Sequence, residues 1–290
     1  MTHKDLALQA EQIREDIIKM LVEAGSGHSA GPLGLADIFT ALYFEIMDHR
    51  PAQPEWEGRD RLFLSNGHCV PLRYAAMARA GYFPVSELKT LRKFGSRLQG
   101  HPERLRLPGL ESTSGPLGSG LSQAAGHALA LRMDGSRSRV YVVTGDGELD
   151  EGNIWEGAMF AAKYKLANLT LIVDRNNIQI DGTTESVMPL GDVAAKFAAF
   201  GWHVIEIDGH NFQAIMDACN LAKAIVEAPV AIIAHTIPGK GVDFMEYDYH
   251  WHGNPPGTQD VPGAPAKKDQ ARVALHDLRT LGGQIRGEHE

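Results

Sequence analysis

The stretch Val140-Tyr141-Val142-Val143-Thr144-Gly145-Asp146-Gly147-Glu148-Leu149-Asp150-Glu151-Gly152 decides the reading of this chain. Four apolar residues, three of them β-branched, make a strand buried on both faces. A loop of glycines and acids follows, and then a helix. In a parallel α/β sheet, ligands collect outside the carboxyl ends of the strands, so loop 145–152 is a candidate site. Its glycines admit a ligand close to the backbone, and the helix from Gly152 offers an anion a positive N-terminus. Acids beside an anion site require a cation between them, and a hard, oxygen-ligated ion such as Mg²⁺ or Ca²⁺ meets that need.

The next apolar strand, 169–173, runs into Asp174-Arg175-Asn176-Asn177-Ile178-Gln179-Ile180-Asp181-Gly182. Between Gly147 and Asn176 lie 28 residues, close to the roughly 30 of one strand–helix–strand crossover. Asp146 and Asn176 are therefore expected side by side on neighbouring strand ends. Working outward, further strands are expected at 61–64, 202–207 and 230–234. The first helix shows its face in Ile13, Ile17, Ile18 and Leu21, and others are expected at 35–47, 72–79, 86–94, 121–133, 152–164, 194–200 and 212–225. This alternation predicts an α/β fold, a mostly parallel sheet covered by helices on both faces. Residues 95–120, with six glycines and three prolines, form a long loop of the kind that carries function. After Trp251 the texture changes to a Pro/Gly linker, a short helix at 267–281 and a polar tail. The division is one large domain, 1–253, and an appendage, 254–290.

Composition narrows the classes. The 290 residues are 43% hydrophobic and 22% charged, ordinary for a globular enzyme. Lys plus Arg total 28 against 36 Asp plus Glu, a net charge of −8, which argues against a nucleic-acid binder. Two cysteines, Cys69 and Cys219, exclude a disulfide framework and point to a reducing, cytoplasmic setting. No apolar run is long enough for a membrane span, and residues 1–12 carry no export signal.

The Gly145-Asp146-Gly147 to Asn176-Asn177 spacing resembles the cofactor motif of thiamine-diphosphate-dependent enzymes. Four histidine loops and one further segment, in family order, narrow the likeness to the transketolase family. Gly27-His28-Ser29-Ala30-Gly31-Pro32 is similar to its first substrate-contacting histidine loop. Ser65-Asn66-Gly67-His68 is similar to the loop whose histidine contacts the diphosphate. Gly100-His101-Pro102-Glu103 resembles the third, Ser112-Thr113-Ser114-Gly115-Pro116-Leu117-Gly118 the segment against the cofactor, and His250-Trp251-His252-Gly253 the last active-site histidine.

The resemblance implies thiamine diphosphate with Mg²⁺ (or Ca²⁺ or Mn²⁺), the ion held by Asp146, Asn176 and the carbonyl of Ile178. It implies cofactor contacts from His68, Gly115, Pro116, Leu117, Gly145, Gly147, Ile237 and His252, with Glu151 and Glu156 at the cofactor and subunit interface. His28, His101 and His252 would orient sugars and handle protons, since imidazole titrates near neutral pH. The implied reaction moves a two-carbon ketol unit from a ketose, or ketose phosphate, to an aldose. Full-length family members continue far beyond the last histidine, whereas this chain ends 37 residues after Gly253. It therefore resembles the N-terminal subunit of a split transketolase. A C-terminal subunit would supply the pyrimidine-binding domain and the activating glutamate, in an α₂β₂ assembly. A 2-oxoacid dehydrogenase of the alpha type, a deoxyxylulose-phosphate synthase and a non-catalytic relative remain alternatives.

Plainer readings cover other residues. His49 and His210 are expected as surface or satisfied core positions, Cys69 as a small core thiol, Asn177 and Asp181-Gly182 as turn residues. The basic cluster between Lys89 and Arg106 reads equally as a phosphate-facing or a solvated face, and Lys240 as a phosphate contact.

Overall fold

The computed structural model describes residues 1–288, with side chains described to 280. Helix α1 (His3–Ala24) starts at a capping box, Thr2 taking the Asp5 N–H while Asp5 takes that of Thr2, and stops at Gly25 in the left-handed region. Its inward face is the expected one: Ile13, Ile17, Ile18 and Leu21 are fully buried. Helices α2 (Ala30–Gly34) and α3 (Ala36–Ala41) follow, and a widened turn closes them, Met47 N–H reaching Leu42 O at 2.9 Å. The helix expected at 35–47 is thus a broken one that begins five residues earlier.

Strand β1 (Arg61–Leu64) leads into α4 (Val70–Arg79). The helix expected at 86–94 is instead a 3₁₀ turn, Val85–Thr90. Leu88 and Leu91 pin it to the core, and Arg92, at φ +60°, turns the chain out of helical geometry. After the loop come α5 (Ser119–Met133), β2 (Val140–Gly145), α6 (Gly152–Lys163), β3 (Leu169–Arg175), and a two-residue-strand hairpin of β4 (Ile178–Gln179) and β5 (Gly182–Thr183). One turn of helix, α7 (Thr184–Val187), precedes α8 (Val193–Ala199), β6 (His203–Asp208), α9 (Phe212–Ala224) and β7 (Val230–His235). Helix α10 (Gln270–Glu288) packs along α1, with Ala274 and Leu278 in the same core. It runs through Gly282 and Gly283, where the sequence predicts a polar tail; residues 289–290 lie outside the described ones.

The five long strands are all parallel, in the order β1-β2-β3-β7-β6. Period-two alternation splits each strand between two cores. Val140 and Val142 face α5, α6 and α8, through Leu121, Ile154 and Phe197. Tyr141 and Val143 face the layer built from α1, α3, α4 and α9. Right-handed crossovers explain the split: β1→β2→β3 step one way across the sheet and β6→β7 steps back, so α9 lies on the opposite face from α6 and α8. The chain leaves β1 and β7 toward one face and β2 and β3 toward the other. Two switch points therefore flank the paired ends of β2 and β3, where a crevice is expected.

Candidate active site

Gly145 pairs with Asp174 across β2 and β3, so Asp146 and Asn176 leave the sheet as neighbours. Asp146 is 1% exposed. Its Oδ1 accepts the Gly147 N–H at 2.8 Å; its Oδ2 accepts the Asn177 N–H at 2.6 Å and Arg175 Nη1 at 3.1 Å. Burial pushes it up to about 6 despite these donors. Asn176 Oδ1 accepts the Ile178 N–H at 3.0 Å and its Nδ2 donates to Asp174 at 2.8 Å. Asp174 is buried, also takes the Thr236 hydroxyl, and is pushed by burial up to about 7. Asn177, at φ +64°, turns the chain after the strand. The donor set offered to a cation is one carboxylate, one amide oxygen and a carbonyl, all hard oxygens, as Mg²⁺, Mn²⁺ or Ca²⁺ require. Among the described residues no cluster of three His, Cys, Asp or Glu side chains forms a metal site.

The four loop histidines meet one another, and the loop of His68 is tied through Ser65 to Glu148, two residues past Asp146. The ring of His28 lies 4.9 Å from His68, 5.6 Å from His252 and 6.5 Å from His101, centroid to centroid, and His68 lies 4.9 Å from His252. His101 sits at the exposed rim, with Gly115 beside it. Ser29 fastens the first loop to the last, its hydroxyl 3.0 Å from Trp251 O and 2.6 Å from Asn254 O. Desolvation depresses all four imidazoles. His28 falls to about 3, with the charges that His252, Arg92 and His101 would carry adding to burial. His68 falls well below its ordinary value through burial and its histidine neighbours, and His101 and His252 fall with them. The cluster is a set of neutral imidazoles at pH 7.

Several buried polar atoms here have no protein partner: His28 Nδ1, Asn66 Oδ1, Ser114 Oγ and Gln179 Nε2. Such atoms are rare in folded proteins because each forfeits a hydrogen bond on leaving water. Ser114 lies against Gly67 and Gln179 against Gly147, so the orphans surround the crevice between the loops. A polar, phosphate-bearing ligand with its cation fits that lining.

The remaining expected residues fall in three groups. Ile178 is buried beside Asn176, and Ile237 sits half-buried after β7 with its carbonyl against Gly34. Pro116 and Leu117 are exposed on the loop before α5. Glu151 and Glu156 stand exposed at the start of α6, away from any ion pair among the described residues. The basic cluster divides: Arg97 pairs with Glu87 and Lys93 with Glu23, while Arg92 alone turns toward His28 and His101. Among the described residues no carboxylate pairs with Arg92. Lys240 lines a different cavity of about 620 Å³, with Arg14, Asp37 and His210. His210 is satisfied there, Nδ1 on Asp37 at 2.7 Å and Nε2 accepting the Ile237 N–H at 2.8 Å. His49 is likewise satisfied by Tyr43 O and Tyr82, and Cys69 is a fully buried free thiol. Glu148, which no sequence pattern singles out, is buried between three loops.

A parallel sheet with hard oxygen donors on a strand pair and unpartnered polar atoms in the neighbouring loops defines an α/β domain of the kind that binds a phosphorylated cofactor. The sequence family described as transketolase, thiamine diphosphate binding domain, matches residues 6–270, and the chain belongs to it. It is 45% identical over 242 residues, 83% of this chain and 88% of the relative, to a subunit of the 6-deoxy-6-sulfo-D-fructose transketolase of Clostridium sp. (strain MSTE9). It is 41% identical over 288 residues, 99% of this chain and all of the relative, to one of the subunits of the apulose-4-phosphate transketolase of Phocaeicola vulgatus. Among solved structures, transketolase from Campylobacter jejuni superposes with a TM-score of 0.83 at 31% identity, over 99% of this chain and 48% of that one. No helix among the described residues is long and apolar enough to cross a membrane.

Proposed function

We propose that this chain is the diphosphate-binding subunit of a two-chain transketolase, moving a two-carbon ketol unit from a ketose to an aldose. The observation that carries the reading is the meeting of four neutral imidazoles from four separate loops, one of which, the His68 loop, is bonded through Ser65 to Glu148 in the Asp146 loop. Asp146, Asn176 and the Ile178 carbonyl would hold Mg²⁺, and through it the diphosphate of thiamine diphosphate. His68 would contact the diphosphate; Gly115, Pro116, Leu117, Gly145, Gly147 and Ile237 would line the cofactor. When bound, thiamine diphosphate supplies the nucleophilic carbon that carries the two-carbon unit.

The chain's own residues do the proton work. A neutral imidazole can take a proton from a sugar hydroxyl and return it, and His28, His101 and His252 are held neutral by their surroundings. Arg92, facing His28 and His101, suits an anionic end on the sugar. The relatives' names, one a sulfonated sugar and one a phosphorylated one, fit that choice. Glu151 and Glu156, exposed on α6, would meet another chain. A C-terminal-type subunit would complete the site with a pyrimidine-binding domain and its activating glutamate, in an α₂β₂ assembly in the cytoplasm. The cofactor-binding unit is residues 1–253 and the appendage residues 254–290, whose helix α10 packs along α1.

The test is a native pull-down of the tagged chain from its source cells, with mass-spectrometric identification of what accompanies it. The recovered complex is then assayed with thiamine diphosphate and Mg²⁺. The expected result is a co-purifying chain with a pyrimidine-binding domain, and two-carbon transfer between a ketose and an aldose bearing a terminal anion. Decarboxylation of pyruvate without ketol transfer would overturn the reading, as would recovery of this chain alone with no cofactor binding.

A further inference from the structure

Glu148 is 3% exposed, yet it carries no ion pair among the described residues. A lone buried carboxylate is costly unless donors surround it. Here they come from three separate loops. Oε1 accepts the Ser65 hydroxyl and the Gly118 N–H at 2.7 Å; Oε2 accepts the Gly145 N–H at 3.2 Å. Ser65 Oγ in turn accepts the Gly120 N–H at 3.1 Å. Helix α5 has no capping side chain of its own, its N-cap being Gly118. Two of its orphan N–H groups are therefore met from outside, by Ser65 and Glu148.

Packing leaves these loops little freedom to move independently. A Cβ on Gly120 would collide with the Ser65 side chain, and one on Gly118, at φ +83°, would stand 2.6 Å from Glu151 Cβ. Each loop tied by Glu148 carries a residue of the candidate site: Ser65 precedes the His68 loop, Gly118 closes the Gly115-Pro116-Leu117 segment, and Gly145 precedes Asp146.

We propose that Glu148 is a positioning residue for the cofactor: one carboxylate sets the mutual register of the three loops that hold the diphosphate and its cation. It touches neither ligand itself. The inference rests on the proposed thiamine-diphosphate function and adds a residue to it. A glutamine cannot replace it. With Oε1 kept on Ser65 and Gly118, the amide N–H₂ faces the Gly145 N–H, donor against donor. Flipped, it leaves the Gly118 N–H without an acceptor. Either way one backbone donor is stranded and one loop is released.

The experiment measures ketol-transfer rate against thiamine diphosphate concentration at fixed Mg²⁺. It uses the chain with its completing partner, as wild type, Glu148→Gln, Ser65→Ala and the double variant. Groups that orient a metal's ligands typically change affinity 10- to 100-fold when removed. The expected result for Glu148→Gln is a cofactor KM raised about 10- to 100-fold, with kcat at saturating cofactor within about twofold of wild type. Ser65→Ala should raise KM less, and the double variant should be no worse than Glu148→Gln, because both act through one knot. If Glu148→Gln fails to fold, Ser65→Ala, which leaves the carboxylate its two backbone donors, is read by the same KM-against-kcat split. An unchanged KM in a folded Glu148→Gln, a fall in kcat alone, or additive effects would overturn the proposal. A wild-type complex without cofactor-dependent ketol transfer would instead defeat the functional reading beneath it.

Discussion

Lowering the pH from 8 to 5 should destabilise this chain through His28, and the amount can be worked out. Its imidazole titrates near 6.5 in the unfolded chain but is depressed to about 3 in the fold, chiefly by burial. The folded state therefore stays unprotonated while the unfolded state takes up a proton as pH falls through 6.5. Stability is lost from that point downward, and the loss continues until about pH 3, where the folded ring protonates too. The slope is about 1.4 kcal/mol per pH unit below about 6.5, so at pH 5 the cost from His28 alone is about 2 kcal/mol. The assay is urea unfolding at pH 8 and pH 5 for wild type and His28→Gln, followed by the fluorescence of the four tryptophans, of which Trp202 and Trp251 are buried. Comparing the pH-induced loss in each protein cancels whatever the substitution does at both pH values. The variant should therefore lose about 2 kcal/mol less than wild type. Equal losses, within about 0.5 kcal/mol, would refute the claim that the cluster is held neutral by its surroundings.

Four further outcomes are expected. Asp37→Ala strips the buried partner from Arg14, bonded at 3.1 and 2.5 Å, and from His210; a loss of about 3–5 kcal/mol in urea unfolding is expected, and a loss under about 1 kcal/mol would contradict it. Gly120→Ala drives a methyl into Ser65 and should cost about 1–3 kcal/mol by calorimetry. Gly126→Ala, in the same helix with nothing within 4 Å, should be neutral or stabilising by up to about 1 kcal/mol. Ser29→Ala frees the His252 loop from the His28 loop; kcat of the completed enzyme should fall while cofactor KM holds, and a change in KM alone would count against that assignment.

Strands β1, β2, β3 and β7 were legible because each holds a short apolar run, and such runs in a sheet buried on both faces need no knowledge of their partners; β6, the edge strand, showed only Val204, Ile205 and Ile207 between polar residues. The Asp146–Asn176 adjacency was legible for a geometric reason, since one crossover has a nearly fixed length. The histidine loops were legible through resemblance, because nothing in their local pattern says that four rings will meet. Three features were not legible. The helix expected at 86–94 would have to continue past Arg92, but bonds to Leu98 O and Gly100 O accompany that residue at positive φ. Arg92 itself was one basic residue in a cluster; its neighbours found carboxylates at Glu87 and Glu23, partners 10 and 70 positions away. Glu148 read as another acid in an acidic loop, since its role depends on Ser65 and Gly118, which lie 83 and 30 positions away.

The bond between Ser29 and Trp251 spans 222 positions, which gives the site an order of assembly. The cation limb, Asp146 to Ile178, closes within one crossover, and such short loops form early. The proton-handling limb needs His28 from the first helices and His252 from beyond the last strand, and contacts of that span slow folding. A chain emerging from the ribosome would bring Asp146, Asn176 and Ile178 together while Ile237 and His252 were still unsynthesised. The cation limb would form first and the acid–base limb last, so a half-made chain would have no means of running the reaction.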